Sequence, residues 1–219
     1  MNNSERILVT DFDGTITDQD FYQLVARQYM PSDAPDYWEL YGRGQLTHLE
    51  AMRSFCSHTP TDSASLNRLL AETAPDPLLG EALERLRHHG WNVVIASAGS
   101  SLYIERLLKR AGVNGIPRHA SPGEIEPGRG LWIRLPEQSP FLSRDTGIDK
   151  EAVVRDALSR AGIVAFAGDG PPDMGPALMV KPELRFARGW LAAELRRRHQ
   201  EFQPYRRWSD IADQLLRSS

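Results

Sequence analysis

The chain has 219 residues, 41% of them hydrophobic and 25% charged, which is typical of a globular protein with one core or a core plus a small subdomain. A formal net charge of −3 gives no general attraction to nucleic acid or anionic membranes, and the single Cys56 excludes an intramolecular disulfide framework. We therefore expect no nucleic-acid partner and no membrane attachment. The opening segment MNNSERILVTDFDG has no apolar signal region, so we predict a cytoplasmic protein. The sequence predicts no particular oligomeric state.

Short apolar runs alternate with longer segments of helical periodicity. This pattern predicts an α/β fold with a Rossmann-like parallel sheet flanked by helices. The predicted strands are almost entirely apolar, as expected where helices cover both faces of a sheet, and they are residues 6–10, 92–97, 163–168 and 184–187. The first three run into DFDG, SAGSS and GDGPPD. Ligands bind beyond the carboxyl ends of such strands, so these segments should converge there.

Two insertions interrupt the alternation. Residues 19–75 contain helical stretches broken at PSDAP, TPTD and APDP, and no convincing strand. We predict a small helical cap over 19–75, attached to a core formed by residues 1–18 and 76–219. The second insertion, residues 117–136, includes GEIEPGRGLWIRLP and predicts a β-hairpin.

The segment DFDGTITD places Asp11, Asp13 and a third carboxylate directly after the first strand. Like charges this close repel unless a cation lies between them. Mg²⁺ accepts one or two carboxylates, keeps several waters and binds phosphate oxygens, and GDGPPD brings Asp169 and Asp173 to a neighbouring strand end. The sequence therefore predicts a magnesium site. Taken singly, DFDG could be an acidic turn, and GDGPPD could be a calcium loop or a plain turn.

The remaining loops add features suited to a phosphate group. Ser97 offers a hydroxyl, and the backbone amides of Ala98 and Gly99 lead into a helix, which predicts an anion site. Lys150 begins the helix DKEAVV, where a cation opposes the helix dipole unless it faces an anion. These features indicate phosphoryl transfer by a carboxylate nucleophile, with a second carboxyl as general acid and base. We expect Lys150 to behave as a surface residue, whose removal affects turnover and not stability.

The cap is expected to select the substrate. Arg53 is the predicted contact of the leaving group if the substrate carries a second anion, and an exposed arginine without such a role is the alternative. Six other cap side chains could also face the pocket, although aromatic residues at helical spacing are more often part of a core, and these are Tyr22, Tyr29, Tyr37, Trp38, Tyr41 and His48. Cys56 is interpreted in the same way, as a small core residue.

The order of these motifs resembles the haloacid dehalogenase superfamily of phosphohydrolases. DFDGTIT is similar to its first motif and VVIASAGS to its second, while Lys150 matches its lone lysine and Gly168–Asp173 its GDGxxD motif. The resemblance covers residues 6–180 in outline. It implies that Asp11 is a nucleophile that forms an aspartyl-phosphate.

The same resemblance implies the other roles. Asp13 would be the general acid and base, while Ser97 and Lys150 would hold the phosphoryl group. Mg²⁺ would be bound by Asp11, the backbone carbonyl of Asp13, and Asp169, with Asp173 in support.

The cap looks like that of the phosphoserine phosphatase branch. SAGSSLYIERLL, GDGPPDMGPAL and GQLTHLEAMRSF resemble the methionine-salvage group that acts on 2-hydroxy-3-keto-5-methylthiopentenyl-1-phosphate, although RDTGIDK departs from that group's pattern. The resemblance implies a Mg²⁺-dependent phosphatase of a small phosphorylated metabolite. The alternatives are a phosphoserine or phosphocholine/phosphoethanolamine phosphatase, and a non-catalytic phosphate-binding module. We do not expect a true dehalogenase, because that activity would need neither Asp13 nor the metal.

Overall fold

A computed structural model describes residues 5–217. Its strands are β1 (Arg6–Thr10), β2 (Trp91–Ser100), β3 (Arg118–Ser121), β4 (Gly123–Glu126), β5 (Gly130–Ile133), β6 (Leu142–Ser143), β7 (Gly147–Ile148), β8 (Ile163–Gly168), β9 (Arg185–Ala187) and β10 (Gln203–Pro204). Its α-helices are α1 (Phe21–Tyr29), α2 (Tyr37–Gly42), α3 (His48–Cys56), α4 (Ser63–Glu72), α5 (Leu79–His88), α6 (Ser101–Arg110), α7 (Lys150–Arg160), α8 (Met174–Leu178), α9 (Gly189–Arg197) and α10 (Trp208–Arg217).

Six of these strands form one parallel sheet in the order β10-β9-β8-β1-β2-β3. The predicted parallel α/β fold and its four strands are confirmed. The chain moves outward from β1 to β2 and β3, then returns to the other side of β1 with β8. This reversal creates a switch point at the carboxyl end of β1, where open α/β sheets bind ligands.

The side chains of β1 alternate between two hydrophobic cores. Leu8 packs among residues of α5, α6 and α10, whereas Ile7 and Val9 pack among residues of α7, α8 and α9. Because both faces of β1 are covered, its run RILVT carries apolar residues on both sides rather than on alternate positions. Helices α5 and α6 end just before Gly90 and Gly112, whose φ angles of 76° and 69° favour glycine.

The segment between β1 and α5 contains α1, α2, α3 and α4. Its two ends are joined by an antiparallel bridge between Thr17 and Pro75. Helix α3 begins with a capping box, in which the Thr47 hydroxyl accepts from the Glu50 amide and the Glu50 carboxylate accepts from the Thr47 amide. These helices agree with the helical character expected of residues 19–75. The division of the chain into cap and core stays a prediction.

The predicted hairpin is present as the antiparallel pair β4 and β5, but it does not occupy the whole of residues 117–136. Residues 118–121 form β3 of the main sheet instead, because their backbone pairs with β2. The hairpin packs on α3, where Gly130 lies so close to the Ser57 carbonyl that a Cβ would overlap it. No helix within the described residues 5–217 is long and apolar enough to cross a membrane.

Candidate active site

A cavity of about 560 Å³ lies at the carboxyl ends of β1, β2 and β8. Its floor is formed by the polar residues predicted from the sequence, namely Asp11, Asp13, Ser97, Lys150, Asp169 and Asp173. Its wall includes the larger side chains Tyr22, Trp38, Tyr41, His48, Met52 and Trp190. A second cavity, of about 490 Å³, is lined in part by Glu5, Trp91 and Asn92 at the amino ends of the same sheet. Only the first contains the acidic motifs.

Lys150 lies between two carboxylates on the floor of the cavity. Its Nζ is 2.9 Å from Asp11 Oδ1 and 2.6 Å from Asp173 Oδ1. Burial lowers the pKa of Lys150, but the two carboxylates outweigh burial and hold that pKa above its usual range. Lys150 is 4% exposed, so the expectation that it behaves as a surface residue is wrong. The anion that it was expected to face includes the carboxylate of Asp11.

Asp169 completes a group of acidic side chains around Asp11. One oxygen each of Asp11, Asp169 and Asp173 lies within 4.8 Å of the others. Burial raises the pKa of Asp11 well above its usual range, and burial together with the Asp173 charge raises the pKa of Asp169 to about 8. The Thr15 hydroxyl donates a 2.9 Å hydrogen bond to Asp169 Oδ1. Buried carboxylates gathered in this way, with one ammonium group between them, fit a divalent cation bound through oxygen.

Within this group Asp173 has less capacity to bind a metal. Its Oδ1 pairs with Lys150, and its Oδ2 accepts 3.0 Å hydrogen bonds from the amides of Asp169 and Gly170. Asp173 therefore orients Lys150 and the loop after β8, while Asp11 and Asp169 are better placed as metal ligands.

Asp13 is held apart from that group. Its Oδ2 accepts a 2.5 Å hydrogen bond from the Tyr103 hydroxyl, and its Oδ1 accepts one of 3.2 Å from the Phe21 amide. Burial, assisted by the charge of Asp20, raises the pKa of Asp13 to about 7. A carboxyl in this range can both give and take a proton near neutral pH. A Cβ at position 99 would overlap the Tyr103 hydroxyl, so Gly99 permits this contact.

Ser97 is buried in the last part of β2, and its Oγ accepts a 3.0 Å hydrogen bond from the Gly99 amide. Ala98 and Gly99 line the cavity beside it. The Gly99 amide is thus already bonded to Ser97, while the hydroxyl proton of Ser97 is available to an acceptor. Of these two groups in the predicted anion site, the Ser97 hydroxyl is better placed than the Gly99 amide to donate to a bound anion.

The structure corrects two expectations about the cap. Arg53 does not line the cavity, because its Nε donates a 2.7 Å hydrogen bond to the Ile133 carbonyl and its guanidinium lies over Trp132. Conversely, four of the side chains interpreted as core line the cavity instead, and these are Tyr22, Trp38, Tyr41 and His48. Helical periodicity does not distinguish a core from a cavity wall.

Several residues at the site were missed in the sequence. Arg188 donates to the carbonyls of Gly14 and Thr17, which fixes the loop that carries Asp11 and Asp13. Its position just beyond the fourth predicted strand was an available signal. Tyr103 gave no signal, because its contact with Asp13 joins residues 90 positions apart in the sequence.

The family model of haloacid dehalogenase-like hydrolases matches residues 8–177 of the chain. No curated protein is significantly similar in sequence. Among solved structures, a substrate-bound phosphoserine phosphatase shares 14% identity at a TM-score of 0.66, over 97% of this chain and 99% of that one. A probable phosphoserine phosphatase from Vibrio cholerae shares 17% identity at a TM-score of 0.67, over 98% of this chain and 66% of the Vibrio protein.

A haloacid dehalogenase family hydrolase from Salmonella enterica shares 20% identity at a TM-score of 0.61, over 84% of this chain. The match spans 63% of the length of the Salmonella protein. At these identities the structural likeness establishes the fold.

Proposed function

The chain belongs to the haloacid dehalogenase-like hydrolase family, and we propose that it hydrolyses a small phosphomonoester in a Mg²⁺-dependent reaction through an aspartyl-phosphate. The observation that carries this proposal is the placement of two different carboxyl groups in one cavity. Asp11 is paired with the ammonium group of Lys150, whereas Asp13 is held by neutral donors on α1 and α6. A nucleophile and a proton donor require such different surroundings.

In the first step, a carboxylate oxygen of Asp11 attacks phosphorus, and the bond from phosphorus to the ester oxygen breaks. Asp13 gives its proton to the departing oxygen, so the leaving group departs as an alcohol. In the second step, Asp13 takes a proton from water as that water attacks the phosphorus of the aspartyl-phosphate. Phosphate is released, and Asp11 is restored as a carboxylate.

Charge on the transferred phosphoryl group requires compensation in a buried cavity. Lys150 and the Ser97 hydroxyl would supply it through hydrogen bonds to phosphoryl oxygens. Mg²⁺ would be held by Asp11, Asp169 and the backbone carbonyl of Asp13, and would neutralise phosphate charge. Asp173 would keep Lys150 in position through their 2.6 Å contact.

The composition of the cavity bears on the substrate. Among the described residues that line it, Lys150 is the only side chain of lysine or arginine, and it is already committed to the phosphoryl group. The wall around the leaving group is largely aromatic. These features support a leaving group without a second anion and with an apolar part.

The candidate substrates can be compared on this basis. The leaving group of 2-hydroxy-3-keto-5-methylthiopentenyl-1-phosphate has no further anion and ends in an apolar methylthio group. We propose a substrate of this kind. Phosphoserine is the alternative suggested by the similar structures, but its carboxylate would find no second cation among the described cavity residues. Phosphocholine and phosphoethanolamine carry a cation rather than an anion, and Asp20 in the cavity would be its partner.

A panel of phosphomonoesters tests this function. We expect release of phosphate in the presence of Mg²⁺, with higher kcat/KM for esters of uncharged apolar alcohols than for phosphoserine. A preference for phosphoserine would contradict the proposed substrate class. Phosphate binding without turnover of any ester would favour a non-catalytic binding module instead. The predicted cytoplasmic location stays a prediction.

A further inference from the structure

His48 is a polar residue in the aromatic wall of the cavity. It is the first residue of α3 and is 8% exposed. Its ring centre lies 5.0 Å from that of Trp38 and 5.7 Å from that of Tyr41. The imidazole is therefore enclosed by two aromatic rings on one side and by the cavity on the other.

The backbone of His48 is anchored independently of its side chain. Its amide donates a 3.0 Å hydrogen bond to Asp145 Oδ1, and the next amide, of Leu49, donates one of 2.7 Å to the Asp145 carbonyl. Asp145 lies in the turn between β6 and β7, on the segment that leads to Lys150. The position of His48 relative to the phosphoryl site is thus fixed by the core and not by the cap alone.

The imidazole has unused hydrogen-bonding capacity. Its Nδ1 is buried and has no hydrogen-bond partner among residues 5–217. A buried polar atom without a partner costs free energy, and native structures generally supply one from protein, water or ligand. Nδ1 itself is closed off from the cavity. The other ring nitrogen, Nε2, retains accessible surface and also has no hydrogen-bond partner among the described residues, so a molecule in the cavity can pair with Nε2.

The same ring is suited to an uncharged partner. Burial and the nearby charge of Lys150 lower the pKa of His48 to about 4, so the ring is neutral at neutral pH. A neutral imidazole has one N–H donor and one lone pair, and it can pair with a hydroxyl or a carbonyl oxygen. A carboxylate or phosphate would gain no ion pair from it.

We propose that His48 determines the specificity of the enzyme by hydrogen bonding to a hydroxyl or carbonyl group of the leaving group, while Trp38 and Tyr41 pack on the apolar remainder. This inference rests on the proposed phosphomonoesterase function. It deepens that function by naming the substrate class as phosphate esters of uncharged polyols or hydroxyketones. An ester without such a group would leave the imidazole unpaired and would be used less well.

Pentyl phosphate and its hydroxyl derivatives at carbons two, three and four test this role. All are alkyl phosphates with related leaving groups, so their main difference is the hydroxyl. For the wild-type protein we expect at least one hydroxypentyl phosphate to exceed pentyl phosphate in kcat/KM by about tenfold, or about 1.4 kcal/mol. In His48→Ala this ratio should fall to about one, mainly through KM.

Two further variants complete the experiment. His48→Gln keeps an amide near the position of Nε2, and we expect it to retain part of the preference. His58→Ala removes the other histidine of the cap, which pairs with the Tyr37 hydroxyl and does not line the cavity, so it should keep the full ratio. Because each ratio is measured within one protein preparation, partial misfolding of a variant does not alter it.

The outcomes separate the two levels of the proposal. Hydrolysis of these esters with the same ratio in wild type and His48→Ala would overturn the role of His48 alone. If the wild-type protein showed no preference for any hydroxypentyl phosphate over pentyl phosphate, the role of His48 would also be overturned. If the wild-type protein hydrolysed no phosphomonoester with Mg²⁺ present, the proposed function itself would fail.

Discussion

The hydroxyl of Tyr103 lies 2.5 Å from Oδ2 of Asp13. The Tyr103 ring also stacks on Phe21 with centroids 4.4 Å apart, and the Phe21 amide binds the other oxygen of Asp13. Both oxygens of the proposed proton donor are therefore held by one aromatic pair, with one partner on α1 and the other on α6. The orientation of Asp13 depends on the contact between these two helices.

The first prediction follows from this contact. Tyr103→Phe keeps the stacked ring and removes the hydroxyl, so Asp13 loses one of its two fixed hydrogen bonds. We expect kcat to fall by about tenfold on an alkyl phosphate. It should fall by less on p-nitrophenyl phosphate, because the leaving group can depart as the nitrophenolate anion and needs no proton from Asp13. Steady-state kinetics on both substrates measures this. Tyr37→Phe, outside the cavity, is the matched control, and equal losses on both substrates would contradict the role of Tyr103.

The second prediction concerns stability. Lys150→Ala removes the cation between the buried carboxylates of Asp11 and Asp173, which then repel without compensation. We expect the free energy of unfolding to fall by about 3 kcal/mol, and activity to fall by orders of magnitude. Urea denaturation in metal-free buffer measures the first effect. Lys109→Ala, at an exposed position of α6, should change stability by less than about 0.5 kcal/mol. A similar small change for both variants would contradict the buried ion pair.

Metal dependence is the third prediction. Excess chelator should abolish turnover and Mg²⁺ should restore it, whereas Ca²⁺, with its larger and looser ligand shell, should restore it poorly. Asp169→Asn removes one ligand charge and should raise the Mg²⁺ concentration needed for half-maximal activity. Mg²⁺ should also raise the Tm of the wild type more than that of Asp169→Asn. Full activity in excess chelator would exclude the proposed metal site.

The fourth prediction uses the environment of His48, which includes Lys150, Asp145 and Asp173. Burial and the Lys150 charge set the folded pKa at about 4, below the 6.5 of an unperturbed histidine, so protons bind more tightly to the unfolded chain. The stability that neutral His48 contributes is present above pH 6.5 and is lost as the pH falls to about 4. The difference in free energy of unfolding between wild type and His48→Asn should therefore shift by up to about 3 kcal/mol across this range.

Chemical denaturation at a series of pH values measures that shift. Acidic groups such as Asp13 and Asp20 also titrate in this range, but they are common to both proteins and largely cancel in the difference. A difference that stays constant from pH 7 to pH 4 would show that His48 is not held neutral by burial.

Much of the fold follows from local sequence. Residues 6–10 and 163–168 are short runs of mostly apolar residues, and the structure places a strand on each of them. The polar edge strand at 118–121 and the two-residue β10 were not predicted, because their side chains are not apolar enough to give a periodic signal. Their place in the sheet depends on backbone pairing with neighbours that are distant in sequence.

The residues of the candidate site also divide into those that could be predicted from the sequence and those that could not. Asp11, Asp13 and Asp169 directly follow strands, so the order of elements was sufficient to bring them together. Contacts that depend on tertiary packing were not predictable from spacing. The diversion of Arg53 to the hairpin and the burial of Lys150 between two carboxylates are of this second kind.

The direct test of the proposed mechanism is burst kinetics of Asp11→Asn and Asp13→Asn with p-nitrophenyl phosphate. Asp13→Asn keeps the nucleophile, and nitrophenol needs no proton to depart. This variant should therefore release about one nitrophenol per enzyme rapidly and then turn over slowly, because no base activates water. Asp11→Asn should show neither a burst nor turnover. A burst that persists in Asp11→Asn and is absent from Asp13→Asn would contradict the assignment of Asp11 as the nucleophile.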